Sequence, residues 1–223
     1  MDMVTTPTAD ELIAQARGGN TRPFIESLFR LQSKTPEASG GVLVPFVFKP
    51  MQMAYWQARS PADILMKAAQ MGSTSLLQAE FLADAMFIPG LEVLLVAQRD
   101  ATATKLFEVT KRFFDNLPEQ VRPRASQDST HILQLEFGGV HSTIEIGTAS
   151  SKSFGRGRPV HRALFTEAAF YERNEENTMS GIIARMPVGE SRYVLESTAN
   201  GQQGYFYEQW MAARAGQVAL KTH

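Results

Sequence analysis

The sequence predicts an α/β fold in three layers, with a mainly parallel central sheet flanked by helices. From residue 62 onward, short apolar runs that are typical of buried strands alternate with longer stretches of helical periodicity. The clearest example is the run Glu92–Ala97 (EVLLVA), which the helical pattern Ala101–Leu117 follows. This alternation is typical of parallel sheets covered by helices. Ligands of such sheets bind beyond the carboxyl ends of the strands, so the residues that follow each strand are the candidates for function.

The elements before the first predicted strand are short or irregular. The segment ADELIAQAR predicts an amphipathic helix that begins near Asp10, and the polar stretch 32–41 (QSKTPEASGG) predicts a linker. The segment GVLVPFVFKP that follows is apolar, but its two prolines cannot donate ladder hydrogen bonds. It is therefore predicted to be an extended lead-in to the main domain and not a central strand.

The remaining elements follow from periodicity and from turn residues. The strand Ala62–Ala69 is predicted to lead through a glycine turn into a helix that runs from 73 to about 86. Residues His131–Phe137 and His141–Gly147 alternate in polarity on either side of two glycines, as in a β-hairpin. The last predicted elements are the strands Arg162–Thr166 and Arg192–Thr198 and the closing helix Tyr205–Ala215.

The composition excludes several classes of protein and of site. The chain has 223 residues with 22 Lys+Arg against 23 Asp+Glu, and this balance argues against a protein that coats nucleic acid. The absence of cysteine excludes disulfides, thiolate zinc sites and cysteine nucleophiles. No apolar run reaches the roughly 18 residues of a membrane span, and no secretory signal opens the chain. We therefore expect a cytoplasmic protein that does not bind a membrane.

The stretch Lys67-Ala-Ala-Gln-Met-Gly72-Ser73-Thr74 lies between a predicted strand and a predicted helix. A phosphate-binding loop at such a place needs a glycine for close approach, a helix N-terminus, a cation and a hydroxyl for Mg²⁺. Gly72 and Thr74 fit the last glycine and the hydroxyl of the G-x-x-x-x-G-K-[ST] pattern, but Ser73 replaces its lysine. Lys67, at the start of the loop, could fold back over the phosphates. The alternative is a glycine turn before a helix that Ser73 caps.

The predicted strand Arg162–Thr166 ends in the pair Thr166-Glu167. In P-loop ATPases with an additional strand and a catalytic glutamate (the ASCE class), this Walker B position carries Asp-Glu. The Asp holds a water of the metal, and the Glu polarises the attacking water. Glu167 matches the second position, whereas Thr166 replaces the first. The alternative is a solvated carboxylate at the end of a strand.

The stretch Ser197-Thr-Ala-Asn200-Gly201 directly follows the predicted strand residues RYVLE. Hydroxyl and amide side chains at a strand end can bond a γ-phosphate or its attacking water and report hydrolysis to the rest of the protein. The Asn-Gly pair is equally typical of a polar turn, so both interpretations stay open.

The most basic segment is 148–166, which contains no acidic residue and is centred on SFGRGRP. Its cations include Lys152, Arg156, Arg158 and Arg162. An arginine here could hold a phosphate bidentately, or could stabilise charge during phosphoryl transfer on a neighbouring subunit. Contact with a DNA backbone and a plain solvated loop are the alternatives.

Taken in order, these motifs resemble the ATPase domain of phage terminase large subunits, which package double-stranded DNA into proheads. The resemblance runs from about Phe48 to Trp210. It rests on the segments KPMQ, KAAQMGST, LEVLLVAQRDATATKLF, SFGRGRP, FTEAAF and ESTANGQQGYFYEQW. The last is the most specific, because S-T-x-N-G followed by a helix with Phe-Tyr-x-x-Trp is an uncommon combination.

The resemblance implies ATP and Mg²⁺ as cofactors and a role for each matching residue. Gln52 would recognise adenine, Lys67 would contact phosphate, Glu167 would activate water and Arg156 would be the arginine finger. The implied ATP-binding residues are Gln52, Lys67, Gln70, Gly72, Ser73 and Thr74, the implied coupling residues are Ser197, Thr198 and Asn200, and the implied Mg²⁺ residues are Thr74 and, weakly, Thr166.

The resemblance also implies a domain organisation and partners. Residues 1–45 are expected to form an N-terminal helical and linker segment, and residues 46–223 the P-loop ATPase domain. The sequence ends just after the closing helix, so we expect the C-terminal nuclease domain of these proteins to be absent from it. The implied partners are double-stranded DNA, the portal of the prohead, the small terminase subunit and further copies of the chain in a ring. The implied location is the host cytoplasm.

Two other functions are compatible with the same residues. A helicase-like, DNA-dependent ATPase would share the P-loop core. A degenerate nucleotide-binding or assembly module without turnover would account for the missing Walker B Asp and the missing central lysine.

Overall fold

The computed structural model of the chain describes residues 7–33, 41–151 and 157–223. In these ranges the helices are α1 (Ala9–Arg17), α2 (Arg22–Leu28), α3 (Pro50–Ala58), α4 (Ser73–Phe87), α5 (Asp100–Asp115), α6 (Arg173–Ile183) and α7 (Gly204–Arg214). The strands are β1 (Arg30–Gln32), β2 (Leu43–Pro45), β3 (Ala62–Met66), β4 (Glu92–Ala97), β5 (Ala125–Asp128), β6 (Ile132–Phe137), β7 (Val140–Thr148), β8 (Arg162–Thr166), β9 (Arg192–Ser197) and β10 (Lys221–Thr222). Most of the predicted linker at 32–41 lies outside the described residues.

One sheet of eight strands forms the centre of the described fold, in the order β10-β3-β9-β8-β4-β7-β6-β5. The strands from β10 to β7 run parallel, and β6 and β5 add an antiparallel edge. The late strand β9 lies between β3 and β8. An additional strand between the strand of the phosphate loop and the Walker B strand is the arrangement that gives the ASCE class its name. The predicted fold class is therefore confirmed.

Alternate residues of the central strands contribute to two separate hydrophobic clusters. In β4, Val93 and Leu95 belong to one cluster, and Leu94 and Val96 belong to the other. The first cluster includes side chains of α1 to α5, and the second includes side chains of α6 and α7. Successive side chains of a strand point to opposite faces, so this division places helices on both faces of the sheet. The described fold therefore has three layers.

Helix α4 is the most buried helix of the described fold, with apolar residues around most of its circumference. Eleven of its fifteen residues are buried. A helix that is hydrophobic on every side lies inside a domain and not on its surface. Because α4 is held on most sides, its N-terminus fixes the position of the loop that precedes Ser73. None of the described helices has the length and apolar character that crossing a membrane requires.

The N-terminal helices pack onto the same core as the sheet. Leu12 and Ala16 of α1 and Phe24 and Ile25 of α2 are buried in the first cluster. The predicted amphipathic helix begins at Ala9 because Thr8 caps it, with the Glu11 carboxylate accepting from the Thr8 N–H at 2.7 Å. Strands β1 and β2 pair antiparallel outside the central sheet, which confirms the extended lead-in.

Several details differ from the predictions, and helices α2 and α3 were not predicted from the sequence. Strand β3 ends at Met66 and not at Ala69, because the chain there turns into the loop that leads to α4. Helix α6 was not predicted from the sequence, since its residues RNEENTMSGII are mostly polar and only Met179 and Ile182 provide a buried apolar contact. Strand β5 was also missed, because three of its four residues are exposed and it shows no apolar alternation.

Candidate nucleotide-binding site

Three of the sequence motifs meet at one edge of the sheet. Met66 at the end of β3 pairs in register with Ser197 at the end of β9. Thr166 at the end of β8 pairs in register with Glu196. The Lys67 N–H donates to the Ser197 carbonyl at 3.0 Å, so the first loop and the Ser197–Gly201 segment are directly joined. The parallel topology thus brings together residues that lie more than a hundred positions apart.

The loop 67–72 leads into α4 through a left-handed glycine. Gly72 has φ 80° and ψ 11°, and a Cβ on it would lie 3.0 Å from Gln52 Nε2. Helix α4 begins at Ser73, and no described side chain caps its first N–H groups. Such a helix N-terminus is suited to an anion. Ser73 is not the cap that the alternative interpretation expects, because its hydroxyl donates to Glu196.

We expect Gly72→Ala to lower the free energy of unfolding in two ways. A left-handed alanine costs about 1–2 kcal/mol, and the new Cβ also disturbs the hydrogen bond of Gln52, worth about 1 kcal/mol. Gly216→Ala is the matched control, because Gly216 has φ 69° and open space around its Cβ position. Urea denaturation should show the larger loss for Gly72→Ala. Equal losses would contradict the importance of the Gln52 contact.

A buried carboxylate that was not predicted from the sequence lies directly against the loop. Glu196 is fully buried in β9, and it accepts hydrogen bonds from the Ser73 hydroxyl and, at 2.7 Å, from the Thr74 hydroxyl. Lys67 Nζ lies 3.4 Å from Glu196 Oε1 and 3.3 Å from Thr74 Oγ1. Lys67 therefore lies against the residues at the end of the loop, while its contact with phosphate stays a prediction. A single carboxylate in the buried strand RYVLES is the signal that could have identified Glu196.

Thr166, at the position of the Walker B Asp, has no partner for its hydroxyl in the described part of the chain. Its Oγ1 is buried and makes no hydrogen bond there. Because Thr166 and Glu196 are register partners on parallel strands, their side chains lie on the same face of the sheet. The carboxylate next to the loop thus comes from β9 and not from β8.

Glu167 is held in a backbone conformation that is rare for its residue type. It has φ 56° and ψ 33° and precedes a short 3₁₀ helix, Ala168–Phe170. A left-handed non-glycine residue costs about 1–2 kcal/mol and persists where the surroundings hold it. The Ala169 N–H donates to Ser197 Oγ at 3.1 Å, and Asn200 Nδ2 donates to the Ala169 carbonyl at 3.0 Å. Two predicted coupling residues therefore hold the Glu167 segment.

The exposed Glu167 side chain lines a cleft of about 340 Å³. Thr198, Gln98 and Arg99 line the same cleft. Gln98 Nε2 donates to the Phe170 carbonyl at 3.0 Å, and Arg99 is exposed. Gln98 and Arg99 were not predicted as site residues, although they directly follow β4, and ligands of such sheets bind beyond the carboxyl ends of the strands. A cation and the predicted catalytic carboxylate therefore line the same cleft.

Gln52 lies behind the loop, on helix α3. Its Nε2 donates to the Gly72 carbonyl at 2.8 Å, and its Oε1 accepts from the Lys49 N–H at 2.8 Å. A side-chain amide has two N–H donors and two acceptor lone pairs, so each end keeps the capacity for one more hydrogen bond. Gln52 and Gln70 line a cleft of about 390 Å³ between the loop and the β1–β2 ribbon.

The described arginines of the basic segment do not reach this edge. Arg156, the arginine-finger candidate, lies outside the described residues, as do Lys152 and Ser153. Arg158 lies 3.6 Å from the Glu92 carboxylate, at the amino end of β4, and Arg162 lies 2.7 Å from the Asp84 carboxylate. These two arginines therefore form ion pairs within the chain, and neither reaches the carboxyl edge.

The strand order and the loop at its edge define an α/β P-loop fold of the ASCE class. Comparison with solved structures shows that this fold is the one found in phage large terminases. The large terminase of bacteriophage HK97 matches with a TM-score of 0.68 and 13% identity, over 95% of this chain and 43% of that protein. A large terminase from a thermophilic bacteriophage, solved in complex with ADP, matches with a TM-score of 0.58 and 14% identity, over 77% of this chain and 42% of that protein.

The ATPase domain of the Thermus phage P74-26 large terminase matches with a TM-score of 0.50 and 19% identity, over 67% of this chain and 64% of that domain. No family model and no curated protein matches the sequence. The resemblance that the motifs predict is thus confirmed at the level of the fold. The chain spans less than half the length of the HK97 terminase and of the terminase solved with ADP.

Proposed function

We propose that this chain is the ATPase motor domain of a phage terminase large subunit, which hydrolyses ATP to drive double-stranded DNA into proheads. The observation that carries the proposal is the meeting of the loop 67–74, the Glu167 segment and the Ser197–Gly201 segment at one edge of an ASCE sheet. The shared fold with large terminases supports it. In this proposal residues 46–223 form the ATPase domain, and residues 1–45 are the segment that precedes it.

The residues of the loop fit a nucleotide with Mg²⁺. The uncapped start of α4 offers N–H groups of Ser73 and its neighbours to phosphate oxygens, and Gly72 lets the backbone approach them closely. Among the described residues no group of three acidic or histidine side chains could hold a metal alone. Mg²⁺ needs few protein ligands when phosphate oxygens and water complete its shell. The Thr74 hydroxyl is the proposed Mg²⁺ ligand, and Thr166 is proposed to lie close to a water molecule bound to the Mg²⁺.

In the proposal, each residue at the sheet edge has a different role in ATP hydrolysis. When bound, ATP with Mg²⁺ supplies the phosphoanhydride bond that water cleaves. Lys67 and the loop N–H groups bind the phosphate oxygens, and Gln70 lines the same cleft as Gln52, which is the proposed place of the adenine. Glu167 orients the attacking water and accepts its proton. Gln52 uses its remaining donor and acceptor for the N7 and N6 edge of adenine.

The contacts of the Ser197–Gly201 segment suit it to transmit the result of hydrolysis. Ser197 binds the loop through its carbonyl and the Glu167 segment through its hydroxyl. Asn200 contacts the same segment, and Thr198 lines the Glu167 cleft. A displacement of Glu167 would therefore move the end of β9 and the start of α7, which follows at Gly204.

The proposed motor works with partners, and these are the partners that the sequence resemblance implies. In the proposal, Arg156 of a neighbouring copy completes the site as an arginine finger, so the chain works in a ring of identical subunits. The ring engages double-stranded DNA and the portal of the prohead, together with the small terminase subunit, in the host cytoplasm.

Steady-state ATP hydrolysis, combined with a nucleotide-binding titration, tests the proposal. A weak Mg²⁺-dependent ATPase that is stimulated by proheads carrying a portal is the expected result. Nucleotide binding without turnover would identify the degenerate module instead. Stimulation by single-stranded or branched DNA in the absence of proheads would identify the helicase-like ATPase.

We expect Lys67→Ala to weaken ATP binding by about 10–100-fold, since a hydrogen bond to a charged group contributes about 1.5–3 kcal/mol. Isothermal titration calorimetry with Mg²⁺-ATP measures the change. Lys221→Ala is the matched control, because it removes the same charge from an exposed position on β10. Unchanged affinity in Lys67→Ala would assign the phosphate contact to another residue.

A further inference from the structure

The Walker B strand of this chain lacks the carboxylate that its class of ATPase places beside the phosphate loop. Thr166 occupies that position, and its buried hydroxyl has no hydrogen-bond partner among the described residues. A threonine there cannot supply the negative charge that offsets a bound Mg²⁺. Either the metal site is lost, or another residue provides the carboxylate.

Glu196 provides a carboxylate at the neighbouring strand position. It is the register partner of Thr166, on the same face of the sheet, and it is fully buried. The Thr74 hydroxyl lies within hydrogen-bond distance of both of its oxygens, at 3.0 Å from Oε1 and 2.7 Å from Oε2, and donates its one proton to this carboxylate. In P-loop ATPases the hydroxyl at the Thr74 position is the one that binds Mg²⁺. The carboxylate therefore contacts the proposed metal ligand directly.

The burial of Glu196 is costly for a purely structural contact. An isolated carboxylate loses several kcal/mol of hydration on burial, and hydroxyl groups alone compensate only part of this loss. Here the Lys67 ammonium group, 3.4 Å from Glu196 Oε1, offsets the rest of the lost hydration. A loop could be fastened to the sheet by neutral groups at lower cost, so the charge itself is the feature that requires a function.

We infer that Glu196 takes over the task of the missing Walker B Asp. It orients the Thr74 hydroxyl and accepts hydrogen bonds from the water around Mg²⁺, while Thr166 leaves room beside it. The inference rests on the proposed nucleotide binding at this loop. It moves the acidic residue of the metal site from β8 to the additional strand β9.

The position of Lys67 agrees with this assignment. In the described structure Lys67 neutralises Glu196, and the same ammonium group is the proposed phosphate ligand. Once a divalent cation balances Glu196, the lysine no longer has to do so, and its charge is available to the phosphates. Glu196 therefore links the arrival of metal to the release of Lys67.

The test compares ATP binding with Mg²⁺ and with EDTA in the wild-type chain and in Glu196→Gln. We expect ATP to bind the wild type more tightly with Mg²⁺ than with EDTA, and we call the ratio of the two affinities the Mg²⁺ gain. In Glu196→Gln this ratio should fall at least tenfold. The affinity for ATP in EDTA should be unchanged or higher. Electron paramagnetic resonance of Mn²⁺ provides a second readout, with loss of the nucleotide-dependent Mn²⁺ signal in the variant.

Relocating the carboxylate separates a metal role from a role in holding the loop. The double variant Thr166→Asp/Glu196→Gln returns the acid to β8 and is expected to recover most of the Mg²⁺ gain. It also restores the charge, so it carries the test if Glu196→Gln does not fold. Binding by the double variant without any Mg²⁺ gain would overturn the inference.

Other outcomes are equally decisive. If Glu196→Gln keeps the wild-type Mg²⁺ gain, or loses ATP affinity equally with Mg²⁺ and with EDTA, Glu196 only anchors the loop. The inference is then wrong, while the proposed function is unaffected. If the wild-type chain shows no Mg²⁺-dependent nucleotide binding, the proposed function fails together with the inference.

Discussion

Glu167→Gln is expected to reduce the turnover of ATP hydrolysis by about 10²–10⁴-fold, the usual contribution of a positioned general base. The amide keeps the size of the side chain but cannot accept a proton from water. ATP affinity should change little, because the proposal assigns the phosphates to Lys67 and the start of α4 and not to Glu167. Phosphate release measures turnover, and calorimetry measures binding in the same preparation.

The control for this variant is Glu190→Gln, which removes an exposed carboxylate outside the clefts described above. Its turnover should equal that of the wild type. Full activity in Glu167→Gln would remove Glu167 from the catalytic role. A parallel loss of ATP binding would show that the substitution disturbs the loop and not the water.

The backbone of Glu167 allows a second, independent comparison. Glycine adopts φ 56° without the cost that glutamate bears. Glu167→Gly should therefore lose turnover while its unfolding midpoint falls by no more than that of Glu167→Gln. This combination would indicate that the strained conformation is retained for the position of the carboxylate and not for stability.

Arg192→Met is expected to lower the free energy of unfolding by about 3–5 kcal/mol, since it leaves buried carboxylates without their main counterion. Arg192 donates from one side to the fully buried Asp63, at 3.4 Å, and forms an ion pair with the nearly fully buried Glu80. It also donates to the Tyr55 hydroxyl at 2.6 Å. The cluster lies near the amino ends of β3 and β9, opposite the candidate site.

The charges of this cluster depend on one another. Burial by itself raises the pKa of Asp63, but hydrogen bonds from His223 and Ser60 and the charge of Arg192 outweigh it and hold that pKa below its ordinary value. Burial raises the pKa of Glu80, although Arg192 and Arg59 oppose the shift. Removal of the arginine therefore leaves an uncompensated charge or forces protonation, and either outcome costs stability.

Urea denaturation measures the loss, and Arg124→Met is the matched control. Arg124 lies 3.4 Å from the Glu136 carboxylate with a side chain that is 83% exposed. An exposed pair contributes at most about 1 kcal/mol, so the control should unfold nearly as the wild type does. A loss of similar size in both variants would contradict the importance of burial for the Arg192 cluster.

The residues of the candidate site differ in how far the sequence could predict them. The loop 67–74 could be selected as a candidate from the sequence, because the pattern of a phosphate loop is local, with a glycine, a hydroxyl and a helix start at fixed spacing. Glu167 could be selected as a candidate because it directly follows an apolar strand. Glu196 was missed, since its significance depends on which strand lies beside β3. Arg99 was missed because its cleft forms from three separate strand ends.

The sequence by itself determined the alternation of strands and helices, the glycine turn before α4 and the order of the motifs along the chain. These features depend on side-chain periodicity and on backbone preferences over a few residues. Only the tertiary structure decided that β9 enters between β3 and β8, and thus that Glu196 and not Thr166 brings a carboxylate to Thr74. Strand order is set by the packing of all the layers together, so no local pattern encodes which distant residues become neighbours.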